Sequence, residues 1–304
     1  MRHTLGTFEA DVNRRPPYQP SSHPQRLQAE LQWLLSSPDL LLPPPGLERP
    51  QQLPPLQISS EELVHDSAYQ PCWRLGEHFE NLVYEYLRLN PYTYDIKRNI
   101  QVKSDKKTLG EFDFLIHLSR QWLHLEVALK LYLLDGDGSS LSHYIGTRRD
   151  DCLAQKWHRM LYHQLKLAQQ PAAQQQLAEL GIEQPLTSAL WIKGWLFYHP
   201  LRPAPKKQPE QINPCHLKGW WLTQSELKLI KAPGRVYMLV RKPDWLLPVS
   251  MLETGAIDFD RLRDEIAGET RAHLVLILHR ADDGWVERSR GFVVADSWPG
   301  SKIQ

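Results

Sequence analysis

Cysteine is scarce. The chain has three, Cys72, Cys152 and Cys215, widely spaced and without a CxxC pair. That excludes a disulfide framework, argues against a thiolate zinc site, and suits reduced thiols in a cytoplasm. Long apolar runs are missing too. Stretches such as LVLIL (274–278) are far too short to span a bilayer, so no membrane is expected. The opening MRHTLGTFEADVNRR has no apolar h-region, and no signal peptide is expected. Nor is there an excess of charge: 36 Lys and Arg against 35 Asp and Glu leave a formal +1. Nucleic acid would therefore have to be held by local patches. No GxxxxGK[ST] loop, GxGxxG turn or GxSxG elbow occurs, so neither nucleotide-driven chemistry nor a serine hydrolase is indicated.

What is present is enough for a sizeable core. The 304 residues are 41% hydrophobic and 23% charged, with eleven tryptophans. Eleven of the 24 prolines fall between Pro16 and Pro55. Residues 1–70 accordingly read as a proline-rich arm with one short helix over QRLQAELQWLL (25–35). WRLGEHFENLVYEYLRL (73–89) is an amphipathic helix with Leu75, Phe79, Leu82, Val83 and Tyr86 on one face and Glu80 at its edge. Asn90-Pro91 ends it. YDIKRNIQVKSD (94–105) and EFDFLIHL (111–118) form strands joined around Lys106–Gly110, and QWLHLEVALKLYLL (121–134) is a central strand. Thr147-x-x-Asp150 resembles a capping box opening a helix through about Ala168, and LTSALWIKGWLFYHP (186–200) is a further strand. The order over 71–200 is α-β-β-β-α-β. A Pro/Lys-rich linker (201–214) leads to a smaller C-terminal α+β domain over 201–304. It has GWWL (219–222), a Thr223-x-x-Glu226 capping box, GRVYMLV (234–240), a helix near 258–267 and a closing hairpin around Asp282-Asp283-Gly284.

The central strands carry an anomaly. Side chains alternate along a strand, so Glu111, Asp113 and Leu115 share one face, as do Glu126, Ala128 and Lys130. If the two strands are neighbours, Asp113 and Glu126 meet. Two carboxylates forced together repel unless a cation joins them or a proton is shared. Mg²⁺ or Mn²⁺ suits such oxygen ligands and activates water for attack on phosphate. Glu80 can supply a third carboxylate and a lysine can orient the water. The plain alternative is an Asp113–Lys130 salt bridge at a strand end.

Several stretches bear on the choice: RLQAELQWLLSSPDLL (26–41), LGEHFENLVYEYL (75–87), NIQV (99–102), TLGEFDFLI (108–116), HLEVALKLYL (124–133), YIGTRRDDCLAQKWHRMLYHQL (144–165), KGWLFY (193–198) and KGWWL (218–222). In these the chain resembles an uncharacterised bacterial family, domain-of-unknown-function 1853, grouped with the PD-(D/E)XK nuclease superfamily. The resemblance implies an α/β (α+β) fold with a restriction-endonuclease-like core and a mixed central sheet. It also implies metal-dependent hydrolysis of nucleic-acid phosphodiesters, in DNA or RNA. Asp113 matches the metal-binding aspartate, Glu126 the second metal ligand, and Glu80 the acidic residue of the first core helix. The pattern's lysine falls on Ala128, which is a departure. Lys130 lies on the same face about 6.5 Å further along, and Lys156 on the following helix is the other substitute, on one face with His163. Gln164 falls within that helix's apolar stripe and requires a polar partner. The missing lysine leaves a second reading open: an inactive nuclease fold that binds nucleic acid or a protein.

Lys97, Arg98 and Lys103 on the first strand, and Arg149 at the expected helix start, are the candidate phosphate contacts. Trp220, Trp221 and Trp245 read mainly as core.

Overall fold

The computed structural model describes residues 25–47, 69–104, 107–118, 121–182, 186–282, 284–298 and 300. The arm over 1–24, the whole stretch 48–68, Asp105 and Lys106 of the first hairpin, and Asp283 of the last lie outside the described residues. Helix α1 is Arg26–Ser36 and α2 is Leu75–Leu89. The α2 sequence repeats apolar residues three and four apart, and Leu75, Phe79, Leu82, Val83, Tyr86 and Leu87 are buried along one side. It stops at Asn90, whose backbone N–H returns to Leu87 O, because Pro91 follows.

Strands β1 (Thr93–Ser104), β2 (Lys107–Leu118) and β3 (Gln121–Leu134) form an antiparallel meander. The chain then makes β4 (Tyr144–Gly146), helices α3 (Leu153–Arg159) and α4 (Pro171–Glu179), and returns as β5 (Thr187–Tyr198), parallel to β3. Strands β6 (Leu217–Thr223), β7 (Val236–Val240), β8 (His273–Ala281) and β9 (Gly284–Val294), with helix α5 (Phe259–Ile266), complete the described elements. The result is a mixed α/β fold with one nine-stranded sheet. Its order is β1-β2-β3-β5-β6-β9-β8-β7, and β4 pairs with β3. β6 is parallel to both β5 and β9, so the sheet runs without a break from the 71–200 stretch into the 201–304 stretch.

Helices α1 and α2 cover one face. Their Leu31, Leu34, Phe79 and Tyr86 pack with Leu125, Val127, Trp191, Trp195 and, further along, Phe292. On the other face Leu153, Trp157 and Met160 cover Ala128, Tyr132, Ile192 and Leu196. A buried polar network ties the first face together. Arg26 donates to Glu30 (2.8 Å) and to Asp244 (2.5 Å). Glu30 also accepts from Tyr69 Oη (2.5 Å) and lies 3.1 Å from His78 Nε2.

Two local expectations are corrected. The helix expected from Thr147 begins only at Leu153, because residues 144–152 fold back on themselves: Gly146 N–H donates to Asp151 O (3.0 Å) and Ile145 bridges Cys152. That helix also changes character, with a π-turn over Met160–Gln164 and a 3₁₀ turn over Leu167–Gln169. After it α4 starts with Pro171 in its first turn and buries Ala173 and Leu177. Only half of the Thr223/Glu226 box forms: Glu226 accepts from Thr223 N–H (3.0 Å), but the Thr223 hydroxyl donates to Glu226 (2.8 Å) instead of capping, and a 3₁₀ turn follows over Leu227–Ile230.

Candidate active site

The β2–β3 ladder runs from Leu118↔Gln121 to Phe114↔Leu125 and goes no further. One step on, register puts Asp113 opposite Glu126. There the strands part, and side chains take over from the ladder. Val127 N–H donates to Asp113 Oδ2 (3.0 Å), and Asp113 N–H reaches Glu126 Oε1 at 3.5 Å. On the other side of β2, β1 skips a pair at the same level. Asn99 sits between the paired Arg98 and Ile100 with φ at +55°. A non-glycine residue in the left-handed region inside a strand is locally strained, and the strain falls beside the two carboxylates.

Glu126 is fully buried and its oxygens are spoken for. Oε1 lies 2.8 Å from His124 Nε2, and Oε2 accepts from the Gln164 amide. Gln164 Oε1 in turn accepts from Lys156 Nζ (3.3 Å). The π-turn makes this link. Residues 156 and 164 are about 2.2 α-helical turns apart, which would set them roughly 80° out of line. The wider turn winds less per residue and swings Gln164 back over Lys156. A continuous chain of bonds results: Lys156, Gln164, Glu126, Asp113.

Burial and mutual repulsion raise the carboxylates. Glu80, on α2, is pushed up to about 7, first by burial and then by the charge of Asp113. Asp113 rises to about 7 through burial and then Glu126, and Glu126 to about 7 chiefly through burial. His124 is driven down to about 4 by burial, so it stays neutral and its Nε2–H donates to Glu126. The Lys156 ammonium is lowered by burial and by Lys130, while Asp113 and Glu126 act to hold its charge.

A cleft of about 310 Å³ opens onto this cluster, with Glu111, Asp113, Gln164, Arg159 and His163 in its walls. The purely salt-bridged alternative has no use for such a cleft.

The remaining sequence candidates fall as follows. Lys130 does not join the carboxylates. Its Nζ pairs with Asp151 (3.1 Å), which also accepts from Tyr132 Oη (2.9 Å). Ala128, where the lysine was expected, is buried in the core under Trp157. Lys97 is paired with Asp95 (2.7 Å). Arg98 turns to α2, donating to Asn81 (3.0 Å) and resting on the Tyr84 ring (4.2 Å). Lys103 is exposed on β1. Arg149 is not at a helix start, because α3 begins later, and it donates to Ser297 O (3.1 Å) away from the carboxylates. His124 went unread in the sequence, although it is two residues before Glu126 and therefore on its face.

Carboxylates are suitable donors for a hard divalent cation, and three whose protons leave near neutrality release them readily to one. Among the described residues, however, no three His, Cys, Asp or Glu side chains are gathered closely enough to form a ready cage. Asp113 and Glu126 supply a pair, and Glu80 would have to close on it. Among the described residues Cys72, Cys152 and Cys215 are free thiols, and no helix is long and apolar enough to cross a membrane.

A family model described as a domain of unknown function, DUF1853, matches residues 29–294. The chain belongs to the DUF1853 family. The matched DUF1853 span takes in every candidate side chain and runs to the end of β9, so the family unit includes the whole described sheet. Comparisons with curated proteins and with solved structures gave no match.

Proposed function

We propose that this DUF1853 chain is a divalent-cation-dependent hydrolase of nucleic-acid phosphodiesters, a member of the PD-(D/E)XK nuclease-like group. Asp113, Glu126 and Glu80 form its acidic set, and Lys156 stands in for the lysine absent at Ala128. One observation carries the reading: the bonded chain Lys156–Gln164–Glu126–Asp113, of which Gln164 and Asp113 line an open cleft. Mg²⁺ or Mn²⁺, bound there, supplies an activated water and a polarised phosphoryl oxygen. Asp113 and Glu126 would hold it, with Glu80 as the third carboxylate and Gln164 orienting Glu126. Lys156 steadies the attacking water and the charge that grows on the phosphate. His124, neutral and buried, fixes the Glu126 carboxylate from behind. Arg98 and Lys103 on β1 hold the backbone of DNA or RNA, and a cytoplasmic setting suits both that substrate and the free thiols.

A second reading has its own support. Both Glu126 oxygens already have partners, and no ready three-ligand set exists among the described residues. On that reading the fold binds nucleic acid or a protein without cutting it. Calorimetric titration with Mg²⁺ and Mn²⁺, with and without oligonucleotide, separates the two. Cation binding that disappears in Asp113→Ala/Glu126→Ala, followed by cleavage of single- or double-stranded DNA or RNA, is the expected result. No cation bound even with oligonucleotide present would sink the hydrolase and leave the binding scaffold.

A further inference from the structure

The carboxylate cleft contains a cation that no other group answers. Residues 109–113 of β2 supply one wall, and the helical segment over 159–167 supplies the other. Arg159 is the last residue of α3 and the one permanently cationic side chain in the described walls. It is exposed, and it makes no hydrogen bond or ion pair among the described residues. The sequence explains why. A carboxylate three or four residues away on the helix would claim the guanidinium. The positions at that spacing are Gln155, Lys156, Tyr162 and His163, and no Asp or Glu occurs between Cys152 and Ala178. Across the cleft, Asp113 is turned to Val127 N–H instead. The charge of Lys156, disfavoured first by burial and then by Lys130, is disfavoured by Arg159 as well, so the guanidinium lies within electrostatic reach of the bonded chain. Depth separates the two groups. Asp113 and Gln164 are half-buried, whereas Arg159 is at the rim. The walls touch at Gly110, where a Cβ would stand 3.1 Å from Leu167, so a polymer passing over the cleft does so at the rim. An exposed guanidinium above half-buried acids suits a strand in which one phosphate is lowered to the acids and the next is held by a fork of N–H donors.

We propose that Arg159 is a substrate-binding residue of this cleft, holding a backbone phosphate of the nucleic-acid strand beside the phosphate that faces Asp113. The inference rests on the reading of the cleft as a nucleic-acid site, and it holds whether or not the strand is cut.

Fluorescence anisotropy on the full chain tests it with a short labelled single-stranded oligonucleotide, in chelator at about pH 6, where Asp113 and Glu126 keep their protons. Salt is varied from about 50 to 200 mM. Arg159→Gln, at an exposed position that spares the fold, should bind roughly fivefold more weakly at low salt. The slope of log K against log salt should fall by about 0.7, one phosphate's share on a single strand. Arg159→Lys keeps the charge and should keep the slope. Lys228→Gln, which removes an exposed lysine in the 3₁₀ turn before β7, should bind as wild type does. Where Mg²⁺ or Mn²⁺ supports cleavage, Arg159→Gln should raise KM about fivefold and leave kcat within about threefold, because the contact is the same before and during the reaction. Wild type that binds no oligonucleotide would end the nucleic-acid reading of the cleft, and this contact with it. Binding by wild type that Arg159→Gln matches in affinity and slope, or an equal loss in Lys228→Gln, would overturn the contact alone. A loss confined to kcat would put Arg159 on the reacting phosphate and overturn its assignment to the neighbour.

Discussion

Asp113→Asn should make the protein more stable at pH 8 while removing the proposed cation site. In the folded chain the Asp113 carboxyl is raised from its ordinary 3.8 to about 7, by burial first and Glu126 second. Between those two values the unfolded chain has released the proton and the folded chain still holds it. The folded state thus binds more protons, and stability falls as pH rises across that window, with the full loss reached above about pH 7. The gap corresponds to at most about 4 kcal/mol. Water reaching a partly exposed carboxylate, and the proton it effectively shares with Glu126, reduce this to about 2 kcal/mol. Asparagine never ionises, keeps an oxygen for Val127 N–H, and presents its amide to the neighbouring carboxylates. The variant should therefore melt about 4 °C above wild type at pH 8 and draw level with it only near pH 4. Calorimetric melts in chelator from pH 4 to 8 measure this directly. Added Mn²⁺ should then raise the wild-type melting temperature at pH 8 and leave the variant's unchanged. A variant less stable than wild type at pH 8, or a difference that does not grow with pH, would refute the account of a repelling cluster.

Lys156→Met should reduce nucleic-acid cleavage about a hundredfold, whereas Lys130→Met, whose partner is Asp151, should cost less than about threefold; equal losses in rate assays would remove Lys156 from its role. Glu30→Leu leaves Tyr69 and His78 without their shared acceptor and Arg26 with one fewer counter-charge. Urea unfolding should register about 3 kcal/mol of lost stability, and a loss under about 1 kcal/mol would mean the network is not coupled. Gly194 has φ of +137°, and a Cβ there would stand 1.7 Å from Lys130 O in the facing strand. Gly194→Ala should fail to yield folded protein, and a native circular-dichroism spectrum from it would contradict the β3–β5 register.

The meeting of Asp113 and Glu126 was legible because it needs only strand alternation and a hairpin, both local properties. Its partner Gln164 could be flagged as a polar residue in an apolar stripe, but not aimed. A π-turn has no signature in a 3.6-residue period, and eight residues of regular helix would have sent the amide elsewhere. Lys130 shares a face with Glu126, as alternation requires. What claims it is Asp151, on a turn 21 residues away whose position depends on β4. The same turn defeated the helix start. Thr147-x-x-Asp150 imitates a cap, while pairing with β3 holds the preceding residues extended. The C-terminal strands announced themselves as apolar runs, yet nothing in the proline- and lysine-rich residues 201–214 signals that β6 pairs beside β5. Parallel pairing across a long connection is a property of the finished fold.

The order of strands has a consequence for synthesis. β6 stands between β5, made well before it, and β9, the last of the described strands to leave the ribosome. Until residues 284–294 emerge, β6 lacks its second neighbour and β8 is paired only with β7. The nascent sheet thus waits with an open apolar edge that includes Trp221 and Leu222, the sort of edge that recruits other chains. A message truncated before codon 284 should yield not a smaller working protein but an aggregating one, and chaperones would have to shield that edge until residues 284–294 are made.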